Sequence, residues 1–125
     1  MKTFCYSLTL AAAILWLGPV TSFSSSEAYA YSLPHFIRGN KVCAINTSRA
    51  ARIKPTWAAR DFLKYRRVSN PRPGDIAVNK RPGGWHAQFV VGRGMCANPS
   101  SRKQRWVIQP CSQTWPRARK IYVRP

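Results

Sequence analysis

Acidic side chains are nearly absent from this sequence: three Asp and Glu stand against 21 Lys and Arg in 125 residues. Outside the first 30 residues only Asp61 and Asp75 remain. Two such acids are too few to hold a hard cation unaided, and a glycosidase that sets two carboxylates across one bond is disfavoured for the same reason. No phosphate-binding glycine loop, internal repeat or low-complexity block occurs. His35, His86 and the cysteines lack the close spacing of zinc modules, so neither a metal nor a cofactor is expected. Beyond the first 30 residues no stretch is long or apolar enough to span a membrane.

The exception at the N-terminus has the three-part layout of a secretory signal. Lys2 is followed by an apolar run from Leu8 to Val20 and a small-residue exit at Ala28-Tyr29-Ala30, with a second exit at Val20-Thr21-Ser22. The run falls short of the roughly 20 apolar residues that cross a bilayer comfortably, which favours cleavage over an uncleaved anchor. Cys5 precedes the run and is badly placed for lipid attachment. The expected organisation is a signal over residues 1–30, an irregular arm over 31–41 and one small domain over 42–125, secreted or periplasmic, with no stable membrane span after cleavage.

Lys2 and Glu27 are the only charged residues in the signal, so its removal leaves the net charge at +18. A field of that size draws in polyanions. Nucleic acid, anionic lipid head groups and acidic polymers of a bacterial envelope all fit, and export favours the envelope over nucleic acid. The plainer reading is that the charge keeps the domain soluble. Three cysteines remain, an odd number. Cys96 and Cys111 close a short loop while Cys43 stands in a different context, which predicts a Cys96–Cys111 disulfide and a free Cys43.

Along the domain the pattern predicts a short helix from Val42 to Ile53, stopped by Pro55, and a second from about Thr56 to Tyr65. Turns at Asn70–Asp75 and Lys80–Gly84 then deliver strands at Ile76–Val78 and Trp85–Val91. Gly92-Arg93-Gly94 reverses the chain into Met95–Asn98, and Arg105–Gln109 and Lys120–Val123 complete a sheet of about five strands. Helices first and strands after predict an α+β class with an antiparallel sheet.

One constellation can do chemistry. Cys43 in the first turn of a helix feels the partial positive charge there, which favours the nucleophilic thiolate, and free helix N–H groups can hold an oxyanion. His86, opening a strand after Gly83-Gly84, can accept the thiol proton and return it to a leaving amine. The competing readings are a buried structural thiol and a histidine that is merely hydrogen-bonded. Among the tryptophans, Trp57, Trp85, Trp106 and Trp115 could stack on sugars or serve as core, and Trp85 is the one assigned to a groove wall. Arg102, Lys103 and Arg105 with Trp106 form a basic stretch suited to an anionic polymer or to a solvated face.

These pieces resemble a known group, the papain-like cysteine peptidases of the NlpC/P60 and CHAP type. The matching segments are Val42-Cys43-Ala44, Pro73-Gly74-Asp75-Ile76-Ala77-Val78, and Gly83-Gly84-Trp85-His86-Ala87 leading into Phe89-Val90-Val91-Gly92. Asn98-Pro99-Ser100-Ser101-Arg102 fits a polar third position, although Asn-Pro is also an ordinary turn starter. The resemblance spans nearly all of Lys41–Pro125. It departs from the group at Val42, where many relatives carry an aromatic residue, and at Ala87-Gln88, where many carry Val-Gly or Val-Ala.

The resemblance implies N-terminal helices packed on the sheet and an exported cysteine peptidase or amidase. This enzyme would cleave amide bonds in peptidoglycan through an acyl-enzyme on Cys43, with His86 as base and Asn98 orienting it. Trp85, Arg102 and Trp106 are the expected substrate contacts. The alternative is a catalytically inactive cationic domain that binds anionic envelope polymers or nucleic acid.

Overall fold

A computed structural model describes residues 32–125 of the chain; the expected signal and Cys5 lie outside them. In chain order the elements are α1 (Cys43–Ala50), a 3-10 segment (Ala59–Lys64), β1 (Arg66–Val68), β2 (Ile76–Arg81), β3 (Gly84–Gly92), β4 (Met95–Ser100), β5 (Arg105–Pro110), a second 3-10 turn (Cys111–Gln113) and β6 (Ile121–Arg124). The six strands form one sheet in the order β1-β6-β2-β3-β4-β5, and every pairing is antiparallel. No helix among the described residues is long and apolar enough to cross a membrane.

This architecture overturns the expected α+β, papain-like fold. In place of two N-terminal helices packed on a sheet of about five strands, the described residues hold a six-stranded antiparallel sheet and a single α-helix of eight residues. The first helix ends early because the chain leaves it through Arg52 at φ +57°, after which Pro55 prevents continuation. The second does not form as an α-helix. Thr56 Oγ1 donates to Asp61 Oδ2 at 2.6 Å and accepts from the Ala58 N–H at 3.1 Å, so local side-chain bonds compete with a regular helical start. The six residues that follow wind as a 3-10 segment, a form confined to short runs. Tyr65 is extended, and the chain then pairs with β6 as a strand that the charged sequence Arg66-Arg67 had hidden.

Pro-Gly pairs set the sheet's register. Asp75 N–H donates to the Arg72 carbonyl at 3.0 Å across Pro73-Gly74, with Gly74 at φ +100°, the conformation a type II turn requires at its third residue. Pro82-Gly83 closes the β2–β3 hairpin in the same manner, with Arg81 paired to Gly84 and Gly83 at φ +83°. Where β2 begins, buried Asp75 accepts Arg124 Nε and Nη2, each at 2.8 Å, and the Arg72 N–H at 2.9 Å. Burial alone would raise the Asp75 pKa, but the Arg124 hydrogen bond and the other favourable contacts outweigh it, and the carboxyl sits below its ordinary value. This two-toothed contact ties the turn before β2 to the end of β6.

Side chains alternate across the strands. Ala87 and the partly buried Trp85 pack with Cys43, Ala44, Phe62, Ile76 and Val78 on the side covered by α1 and the 3-10 segment. Phe89 and Val91 continue that side with Ala97. Full burial of a side chain such as Phe62 is worth about 1.5–3 kcal/mol. The opposite side carries Ala77, Val90, Cys96 and Cys111 with Tyr122. There the Cys96–Cys111 disulfide joins β4 to the 3-10 turn after β5. The separation of 15 residues corresponds to about 3 kcal/mol of loop-closure stabilisation. Cys111→Ala is therefore expected to lower unfolding free energy by about that amount, measured by equilibrium denaturation under non-reducing conditions.

Candidate active site

The arm before α1 is irregular but firmly held. Asn46, fully buried in α1, donates to the carbonyls of Ile37 and Val42 at 3.0 and 2.9 Å and accepts the Ile37 N–H at 2.8 Å. Gln104 in the β4–β5 turn accepts the Gly39 N–H at 2.7 Å and donates to the Gly39 carbonyl at 2.9 Å. With the arm fixed at both points, Asn40 and Lys41 form a wall of the cleft into which α1 starts.

Cys43 is the first residue of α1, and the preceding Val42 supplies no side-chain cap to the first-turn N–H groups. One turn further on, Thr47 Oγ1 lies 3.4 Å from the Ala87 carbonyl; residues four apart share a helix face, so Cys43 also faces β3. It is the free cysteine of the described residues and is only 7% exposed. That small exposed part opens on a cleft of about 500 Å³ shared with His86, Asn98, Arg81, Arg102, Thr114 and Trp115. A second hollow of about 180 Å³ also reaches Cys43 and is lined by Lys41, Trp57, Arg60, Arg81 and Trp85, among others. The thiol thus stands where two depressions meet, with Lys41 and Arg81 common to both.

His86 is 8% exposed, and its Nε2 lies 2.8 Å from Asn98 Oδ1 on β4. Because Oδ1 can only accept, this arrangement puts the ring hydrogen on Nε2 and leaves the lone pair on Nδ1. Burial is the main cause that lowers the imidazole pKa, and the cations Arg81 and Lys120 lower it further. The Asn98 hydrogen bond opposes them, and the net value is about 4. The resting ring is therefore neutral across the physiological range.

The alternation of β3 puts His86 on the same side as Gln88 and Val90, opposite the side on which Ala87 meets Cys43. The cleft takes walls from both sides, and among the described residues no hydrogen bond joins the thiol to the imidazole.

Of the expected contacts, Arg102 lines the larger cleft and Trp85 the smaller hollow; Lys80 Nζ lies 5.5 Å from the centroid of the Trp85 ring. Trp106 is placed elsewhere: it packs edge-on to Phe36 at 6.0 Å and donates Nε1–H to the Pro34 carbonyl at 3.0 Å. Several lining residues lay outside the expected set, Arg81, Lys41 and Trp115 among them. Arg81 was read as part of a turn, Lys41 as part of the arm, and Trp115 as one of four tryptophans that could stack on sugars or serve as core.

No protein-family model and no curated protein matches the chain.

The depressed His86 pKa carries a stability consequence with a definite sign. Between about 4 and 6.5 the unfolded chain binds a proton at this residue that the folded chain refuses. Its contribution to stability is complete above 6.5 and is lost as pH falls towards 4. Titration followed by NMR at the ring carbons is expected to give a midpoint near 4 for His86. The midpoint should fall further in Asn98→Ala and rise in Arg81→Gln.

Proposed function

We propose that this chain is an exported cysteine hydrolase that cleaves amide bonds in bacterial peptidoglycan through a thioester on Cys43. The observation that carries the reading is that Cys43, at an uncapped helix start, lines one cleft with a neutral, Asn98-bound His86.

In the proposed reaction the Cys43 sulfur attacks the amide carbonyl while His86 Nδ1 takes the thiol proton, forming the S–C bond. This step requires Cys43 Sγ and His86 Nδ1, which start from opposite sides of β3, to come within reach of one another; catalytic hydrogen bonds are commonly long before substrate binds. First-turn N–H groups of α1 stabilise the oxyanion. His86 then returns its proton to the departing nitrogen, and the C–N bond breaks. Water attacks the thioester as His86 accepts its proton, the S–C bond breaks and the proton returns to sulfur. The resting histidine is neutral and free to accept a proton, but a pKa of about 4 makes it a weak base for a thiol, so the proposed transfer requires bound substrate to raise it.

Peptidoglycan as substrate rests on the motif resemblance to NlpC/P60 and CHAP domains and on the charge of +18, which concentrates the protein on an anionic wall. The Cys96–Cys111 disulfide is compatible with the oxidising compartment that export implies. A non-catalytic cationic binder is a second reading, favoured by the missing thiol–imidazole hydrogen bond and by the Lys and Arg side chains that line the cleft.

Purified protein is expected to solubilise peptidoglycan. Cys43→Ala should reduce the rate about 10³-fold or more while leaving salt-dependent binding to the wall intact. Solubilisation undiminished in Cys43→Ala would contradict the hydrolytic reading and leave the binder.

A further inference from the structure

Trp115 is shaped for a task that the core does not explain. It is 41% exposed and adopts φ +52°, a left-handed conformation that is rare for a bulky residue and points to a functional constraint when observed. The turn that presents it is pinned: the Ala118 N–H donates to the Trp115 carbonyl at 2.9 Å. Lys120 Nζ donates to the carbonyls of Trp115 and Ala118 at 2.9 and 3.0 Å. The indole is therefore held out on a braced support.

Trp115 is also a shared wall. One side belongs to the cleft of Cys43 and His86, and the other to a separate hollow of about 450 Å³ lined by Lys80, Pro82, Pro116, Arg117 and Ala118. That volume falls in the range of about 300–1,000 Å³ typical of small-ligand sites. The hollow combines a flat aromatic and two prolines with two cations, and neither Asp61 nor Asp75 lines it. A pyranose ring has an apolar face that stacks on indole, while hydroxyls and any acidic substituent face outward. Lys80 and Arg117 then supply partners for a carboxylate.

We propose that Trp115, Pro82, Lys80 and Arg117 form an accessory subsite for a carboxylate-bearing sugar ring. The subsite does not depend on the hydrolytic reading: a wall sugar joined to a stem peptide has its carboxyl consumed in that amide, so the ring belongs to an acidic envelope polysaccharide of the uronic-acid type. The subsite holds the protein on that polymer beside the cleft of Cys43 and His86, with Trp115 as the wall between them.

The test measures binding in Cys43→Ala protein, so that its outcome is independent of whether the chain hydrolyses anything. The probe is an oligosaccharide of alternating N-acetylhexosamine and uronic acid. A neutral N-acetylglucosamine oligomer of equal length and inorganic polyphosphate serve as controls, all at elevated salt to screen the general positive field. The acidic oligosaccharide is expected to bind about tenfold more tightly than the neutral one, and Trp115→Ala to weaken it by about tenfold. Arg117→Gln, an exposed change with little consequence for folding, should weaken the acidic probe and leave the neutral one unaffected. Equal loss for polyphosphate in Trp115→Ala, or indifference of the acidic oligosaccharide to both substitutions, would overturn the proposal.

Discussion

The packing of α1 across β3 sets where the thiol stands relative to every other group in the cleft. Thr47 meets the Ala87 carbonyl, Cys43 joins Ala87 in one apolar cluster, and Asn46 fastens the preceding arm to the same helix. A shift of α1 along β3 would carry Cys43 away from the cleft and release Lys41 with it. Eight residues have little helical stability of their own. The position of this helix therefore depends on the sheet beneath it, and so on the turns and the Asp75–Arg124 contact that fix the sheet's register.

Electrostatics in the cleft follows from the scarcity of acid. The described residues hold only two side-chain carboxylates, Asp61 and Asp75, neither of which lines the cleft, and a neutral amide, Asn98, is the hydrogen-bond partner of His86. Burial and the nearby cations Arg81 and Lys120 then hold His86 neutral. The same cations that disfavour an imidazolium favour an anionic ligand, so they attract a polyanion while opposing proton uptake by the resting histidine. A polyanion entering the cleft would partly cancel the field of Arg81 and make protonation of His86 easier, as the proposed reaction requires.

Much of the strand layout was legible because its signals are local. Pro73-Gly74 and Pro82-Gly83 demand their turns through backbone sterics, and β2 to β6 each overlap the segment that the residue pattern assigned. The Cys96–Cys111 pairing was legible because the β4–β5 hairpin returns the chain to Cys96 one residue past Pro110. The helical half was not. Thr56, read as a cap, bonds Asp61 and closes a turn instead, and β1 gains strand form only from its partner β6. Trp106 looked like a groove residue because nothing in its neighbourhood reveals that Phe36 and Pro34, some 70 residues earlier, cover it. Cys43, His86 and Asn98 were readable as residue types in a plausible order. Their placement on opposite sides of β3 depends on which side α1 covers, which no short-range pattern records.

The claim on which the account turns is a covalent one, that carbon is transferred to sulfur at Cys43. It is tested most directly by acid-quenching the protein during reaction with soluble wall fragments and mapping the peptides by mass spectrometry. The account predicts an added mass matching the acyl half of the cleaved fragment on the peptide that holds Cys43, present during turnover and gone once substrate is exhausted. Turnover with an unmodified Cys43 throughout, or an adduct on any other residue, would contradict it.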